Sequence, residues 1–193
     1  METRGSNAIK PGGRYTVKER RDWDTEEQWE LIRGIAYAMS PAPRLVHQRL
    51  LLRISAQLLH QLEGKPCEPL IAPVDLYPFP DAKDERADTV VQPDLMIVCD
   101  PSQSHEEGVF GAPEWILEIL SSRTAWKDQT EKKQVYEEAG VKEYWILNPD
   151  TLDLIIYRRE SKGFGAPVGA RLYEPVGLAV LPEVTLSLDA DSA

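Results

Sequence analysis

Two carboxylates in this 193-residue chain stand where carboxylates are costly. Asp94 opens the run DLMIV, and Glu118 lies in the middle of EWILEIL at 114–120. Both runs are short, dense in β-formers and bounded by proline or polar residues, as buried central strands are. Alternation along a strand puts Glu118 on one face with Ile116 and Leu120, and Asp94 on one face with Met96 and Val98. A charged side chain in such a place must be paired, hydrogen-bonded or bound to a cation. If the strands are neighbours, about 4.8 Å apart, the two carboxylates converge on one hard divalent cation. Magnesium suits such a pair, because it keeps several waters and takes few carboxylates from protein. Structural readings stand beside this one. Asp94 follows Pro93 and can begin a strand or cap a turn, and Glu118 can pair with an arginine.

The elements that must position these residues follow from periodicity. WELIRGIAYAM (29–39) reads as two short strands joined at Arg33-Gly34, with glycine supplying the positive φ of a tight hairpin. Val46, Leu50, Leu51, Ile54, Leu58, Leu59 and Leu62 recur at three- and four-residue steps, an amphipathic helix ended by Gly64 and Pro66. CEPLIAPVDLYPFP (67–80) is apolar but broken by four prolines, so it is edge strand or irregular chain. Residues 81–92 read as a polar surface loop. DQTEKKQVYEEA (128–139) is a helix ending at Gly140. YWILN (144–148) and LDLIIYRR (152–159) form a second hairpin around Pro149-Asp150. A Gly-rich connection at 163–169 and weak strands near 170–173 and 180–188 complete the chain.

The length fits one domain, and 42% hydrophobic with 28% charged residues is ordinary globular usage. GIAYAM and WILEIL fall far short of the roughly 20 residues of a membrane helix. The opening METRGSNAIKPGG has no apolar core and reads as a tail rather than a secretory signal; the expected location is cytoplasmic. Cys67 and Cys99 lie in apolar segments without CxxC spacing, so buried thiols are expected. A net charge of −10 opposes avid, non-specific nucleic-acid binding, although a bound cation or a local basic groove reverses the field near a phosphate. His47 sits beside the apolar seam of its helix and reads as structural. His60 and His105 lack zinc spacing. Trp115 and Trp145 read as core. There is no Gly-rich phosphate loop and no nucleophile elbow.

VVQPDLMIV and EWILEILSSRTAWKDQTEKKQVYEEAGVKEYWILNPD, with WELIRG at 29–34 and AMSPAPRLVHQRL at 38–50, resemble the Uma family of restriction-endonuclease-like proteins in the PD-(D/E)xK nuclease superfamily. The resemblance covers about residues 16–188, leaving 1–15 and 189–193 as tails, and several ordered motifs are more specific than a lone Pro-Asp. It implies an α/β (α+β mixed) domain: a restriction-endonuclease-like core with a mixed central sheet flanked by helices, an N-terminal β-hairpin and a β-rich C-terminal part. Asp94 matches the Asp of the Pro-Asp motif, and Glu118 the acid of (D/E)xK. Leu120 stands where that motif has lysine. In the family the lysine comes from the following helix, and the match is Lys132, in D-x-x-x-K-x-x-x-Y with Asp128 and Tyr136. Lys132 and Tyr136, four apart, share a helix face, whereas Lys133 and Lys127 are expected near solvent. Glu30 matches the hairpin glutamate and is a further metal-site acid, or an exposed strand-end residue. The resemblance thus implies a DNA endonuclease using Mg2+, or Mn2+ in its place, and it favours a homodimer. Two alternatives are a non-catalytic module for self-association or partner binding, which the acidic balance motivates, and hydrolysis of a smaller phosphodiester.

Overall fold

Residues 9–39, 44–79, 86–121 and 125–189 are described by a computed structural model. Helix α1 (Val17–Arg21) starts from a capping box in which Thr16 and Glu19 satisfy each other's backbone N–H groups. Strands β1 (Trp29–Ile32) and β2 (Ile35–Ala38) form the expected hairpin. Arg33 (φ 51°) and Gly34 (φ 78°) supply the two left-handed residues that a two-residue turn of this kind needs. At the end of the expected N-terminal tail, Gly12 N–H donates to Ala36 and Tyr15 N–H to Gly34, so residues 12–15 run along this hairpin.

Helix α2 (Leu45–Gln61) follows, then strands β3 (Glu68–Ile71), β4 (Leu76–Tyr77), β5 (Leu95–Val98), β6 (Ser104–His105), β7 (Gly108–Phe110) and β8 (Trp115–Ile119). The next helical stretch has three parts: α3 (Ala125–Lys127), a π-helical turn (Asp128–Lys132) and α4 (Lys133–Ala139), closed by Gly140 at φ 102°. Strands β9 (Glu143–Leu147), β10 (Asp153–Glu160), β11 (Gly163–Phe164), β12 (Val168–Arg171), β13 (Val176–Gly177) and β14 (Thr185–Leu186) complete the order.

The main sheet runs β11-β10-β9-β8-β5-β3, with β12 also on β10, and β8 and β5 are interior as expected. Its β8–β9 pair is parallel and the other pairs are antiparallel, so the sheet is mixed. A parallel pair needs a crossover. Here the crossover is the stretch 125–139, which lays the helix over the face of β8 that carries Glu118. On the opposite face Trp115, Leu117 and Ile119 pack with Leu50, Ile54 and Leu58 of α2. The Glu118 face holds Ile116, Met96 and Ile146 against Val135, Tyr136 and Ile32. Alternation along the strand therefore separates the cores on the two sides of the sheet, and a third gathers Val17, Trp29, Leu31 and Val90 around the N-terminal hairpin. Trp115 and Trp145 are core, with ring centroids 5.5 Å apart.

Four expectations are corrected. Part of the expected polar loop is interior: Val90 and Val91 are buried and bridge Leu31 and Leu76; two residues are too few to show a strand period. Cys67 and Cys99 form a disulfide rather than two thiols. They flank the β3–β5 pair, one step beyond Glu68↔Val98, a juxtaposition that only strand pairing creates. Leu59, assigned to the apolar seam of α2, is exposed like Leu45 and Leu52. The Gly-rich connection at 163–169 contributes β11 and part of β12, both on β10.

Candidate active site

Leu95 pairs with Leu117 and Met96 with Ile116. One further step of that antiparallel register sets Asp94 opposite Glu118, and residues directly opposite have Cβ atoms about 4.5–5.5 Å apart. Asp94 Oδ2 accepts from the Ile119 N–H at 2.7 Å and contacts His47 Nε2 at 3.1 Å. Glu118 Oε1 accepts from Tyr136 Oη at 2.7 Å and from Lys132 Nζ at 2.8 Å. Neither Asp94 Oδ1 nor Glu118 Oε2 accepts a hydrogen bond from a described residue. Both residues line a cleft of about 320 Å³ together with Glu30, Lys132, His47 and Lys127. The four residues singled out by sequence, Asp94, Glu118, Lys132 and Glu30, are thus brought into one place.

Lys132 is buried and fully engaged. Its ammonium meets Glu30 Oε1 and Glu118 Oε1 at 2.8 Å each and donates to the Gln92 carbonyl at 3.3 Å, which uses all three of its protons. Glu30, fully buried on β1, also takes the ammonium of Lys127 and the Gln92 N–H at 2.9 Å. Glu30 is therefore no exposed strand-end residue. Lys127, expected near solvent, is buried, and the π-helical turn explains the difference. Ordinary α-helical spacing separates residues five apart, whereas i→i+5 bonding brings Lys127 and Lys132 to one side. Both reach Glu30. Lys133 behaves as expected, pairing with Glu137 at 3.1 Å and lying over the Tyr157 ring.

Sequence reasoning also missed Gln92 and the contact of His47. Gln92 Nε2 donates to Asp75 Oδ1 at 2.7 Å, and Asp75 is held by Arg20 through two hydrogen bonds. This chain of contacts fixes the Gln92 backbone, which touches both Glu30 and Lys132. The adjacent Pro-Asp motif was the available signal for Gln92. For His47 the signal was its place on the first turn of α2, next to the seam.

The charges follow from these contacts. Burial opposes ionisation of Glu30, but Lys132 and Lys127 outweigh it and bring its pKa to about 2. Burial pushes Glu118 up to about 8; Lys132 works against this, while Asp128, Asp94 and Glu30 add to it. Burial alone would neutralise Lys132, yet Glu118, Glu30 and Asp128 hold its pKa well above the ordinary value. We favour a charged Lys132–Glu30 pair beside a proton-holding Glu118, since Glu30 faces two ammoniums and Glu118 shares one while facing three other carboxylates. Burial lowers the His47 pKa, but the hydrogen bond and charge of Asp94, with Asp128, raise it overall.

A pH dependence follows. The folded pKa of Glu118 lies above its ordinary 4.5, so the native protein keeps a proton that the unfolded chain has released. This contribution to stability is full below about 4.5 and is lost as pH rises through about 8. Glu30 acts oppositely: its contribution is present above about 4.5 and lost as pH falls through about 2. Metal-free protein is expected to lose at least about 5 °C of melting temperature as pH rises from about 4.5 to about 8, and Glu118→Gln to flatten that slope. A wild-type melting temperature that does not fall there would show that Glu118 is ionised in the metal-free fold.

The mixed sheet, the crossover helix and the carboxylate–lysine cluster define an α/β protein of nuclease fold. The crystal structure of "a putative nuclease belonging to DUF820" from Anabaena variabilis matches at a TM-score of 0.70 and 18% identity, covering 90% of this chain and 94% of that one. The family described as "Putative restriction endonuclease" (Uma2) matches residues 17–189, and the chain belongs to that family. No curated protein matches the chain. Among the described residues no helix is long and apolar enough to cross a membrane.

Proposed function

We propose that this chain is a metal-dependent nuclease that hydrolyses phosphodiester bonds of DNA, with Mg2+, or Mn2+ in its place, held by Asp94 and Glu118. The observation that carries this reading is the pair of opposed carboxylates, each with one oxygen that accepts no hydrogen bond from a described residue, beside a buried ammonium. Among the described residues no three His, Cys, Asp or Glu side chains gather closely enough to hold a metal unaided. Two carboxylates nevertheless fit a hard cation that retains most of its water. When bound, the cation supplies Lewis-acid polarisation of a phosphoryl oxygen and a water of lowered pKa.

The remaining work falls to the chain's own groups. The Ile119 N–H and His47 hold Asp94, and Tyr136 holds Glu118. Lys132 keeps a permanent positive charge at the site, and to meet a phosphate oxygen it exchanges one of its three contacts. Among the described residues Glu30 is the one hydrogen-bond partner of Lys127, which lines the same cleft and has further N–H donors to offer that oxygen. Glu30 anchors both ammoniums.

Incubation with single-stranded DNA, duplex DNA and RNA, with Mg2+ or Mn2+, tests the reading. Complete inactivity together with no heat of metal binding would overturn it in favour of a non-catalytic module. Glu118→Gln is expected to raise the metal concentration for half-maximal cleavage by on the order of tenfold, through loss of one of two charged ligands. Unchanged metal affinity would remove Glu118 from the metal site.

A further inference from the structure

We infer that Asp75, gripped by Arg20, is a positioning residue for the ammonium of Lys132, although neither Asp75 nor Arg20 is among the residues that line the cleft. The inference rests on the nuclease reading above and adds to it two residues that act from behind the site.

The link runs through Gln92. Its N–H donates to Glu30 at 2.9 Å, and its carbonyl accepts from Lys132 at 3.3 Å. That carbonyl is the longest of the three contacts of Lys132 and the one that involves no carboxylate. It is therefore the contact that Lys132 gives up most readily to meet a phosphate oxygen, and its place decides where that proton points. Nearby backbone does little to fix the place. Val90 and Val91 make isolated bridges rather than a strand, and Pro93 brings no N–H of its own.

The Gln92 side chain supplies the anchor. One step along the antiparallel Leu76–Val91 bridge sets Asp75 opposite Gln92, and Gln92 Nε2 donates to Asp75 Oδ1 at 2.7 Å. Asp75 is itself immobilised. Arg20 grips both of its oxygens in a fork at 2.7 and 2.9 Å, and Tyr77 Oη donates at 3.3 Å. The Val109 N–H donates to the Asp75 carbonyl at 2.8 Å, and Gly108 packs so closely that a Cβ there would lie 2.2 Å from that oxygen. Arg20 also donates through Nε to the Trp29 carbonyl at 2.8 Å, directly before Glu30 on β1. Arg20 thus ties the strand that carries Glu30 to the anchor of Gln92. At 14% and 17% exposure the Arg20 and Asp75 side chains are held in one geometry, unlike an exposed surface pair.

The test separates positioning from folding. Asp75→Asn keeps the shape but turns one acceptor oxygen into an NH2, so Arg20 and Gln92 can no longer both be satisfied. Single-turnover cleavage is expected to slow by about tenfold while substrate affinity stays within about twofold, because a misplaced group costs rate rather than binding. In the Lys132→Ala background the same change is expected to cost less than about twofold, since there is no ammonium left to place. Hydrogen exchange in metal-free protein reads the anchor without cleavage: the Gln92 N–H should exchange about tenfold faster in Asp75→Asn, while the core amides of Leu117 and Trp145 keep their rates. Arg20→Lys, which keeps the charge and gives up the fork, is expected to slow cleavage about threefold and carries the test if Asp75→Asn does not fold. An equal loss of rate with and without Lys132, or wild-type exchange at Gln92, would overturn the inference. Wild-type exchange with normal cleavage leaves the nuclease reading intact and removes this one. Faster exchange at Gln92 in a protein that cleaves nothing removes the nuclease reading and leaves the anchor of Gln92 in place.

Discussion

Lys132→Ala is expected to slow the chemical step by roughly 10²–10³-fold, the scale of losing one electrostatic contact to the transition state. Leu120 leaves the strand position without an ammonium, so the charge beside Glu118 comes from the helix. The substitution also removes one partner from a buried cluster, a change that typically costs about 3–5 kcal/mol. Here the cost is softened on both sides, because Lys127 stays on Glu30 and Glu118 can take up a proton. Metal affinity should hold or rise, since the ammonium and the cation compete for Glu118. Single-turnover cleavage at saturating metal, with a melting curve to confirm folding, reads the effect. Leu120 lines the cleft on the face of Glu118, so Leu120→Lys in the Lys132→Ala background is expected to restore part of the rate. Lys133→Ala should stay within about twofold, as that side chain packs on Tyr157 away from the cleft. Full activity in Lys132→Ala with a large loss in Lys133→Ala would show that the charge comes from the neighbouring lysine.

Much of this site was legible because strands have a fixed period. Alternation alone placed Asp94 with Met96 and Val98, and Glu118 with Ile116 and Leu120, on the faces they occupy. The Arg33-Gly34 turn was readable because few residues accept positive φ, and the α2 seam because five of its seven assigned positions are buried. What escaped lies where local pattern carries no information. Lys127 precedes the helix expected over 128–139, and nothing in the sequence marks the helical turn Ala125–Lys127 or the π-helical turn Asp128–Lys132 that bring it to Glu30. The disulfide depends on register between β3 and β5, which nothing around Cys67 or Cys99 encodes. Val90 and Val91 were hidden inside a polar stretch too short to show a period. Gln92 acts largely through its backbone, and the identity of a side chain says little about that. The pairing of His47 with Asp94 joins a helix to a strand end 47 residues away, and a single sequence does not reveal such contacts.

Asp94→Asn is expected to abolish metal-dependent cleavage, to below about one part in 10³ of wild type, while the fold persists. The amide keeps the shape and can still accept the Ile119 N–H through its oxygen, so the 2.7 Å contact that seats the side chain survives. What disappears is the negative charge, and with it half of the proposed ligand charge for the cation. The metal-free protein should respond in the opposite sense. Removing one of the carboxylates that raise the Glu118 pKa lets that pKa fall, so the loss of stability between about pH 4.5 and 8 shrinks and the melting temperature near neutral pH holds or rises by a few °C. His47 provides an independent readout. Its raised pKa depends on the Asp94 hydrogen bond and charge acting against burial, so in Asp94→Asn the ring should titrate at lower pH, as followed by NMR of its ring protons. A marked fall in melting temperature at neutral pH would instead make the Asp94–His47 pair a structural ion pair, and wild-type turnover in the variant would remove Asp94 from the chemistry. Lost cleavage, a retained fold and a lowered His47 pKa together are the result that only a charge-bearing ligand position produces.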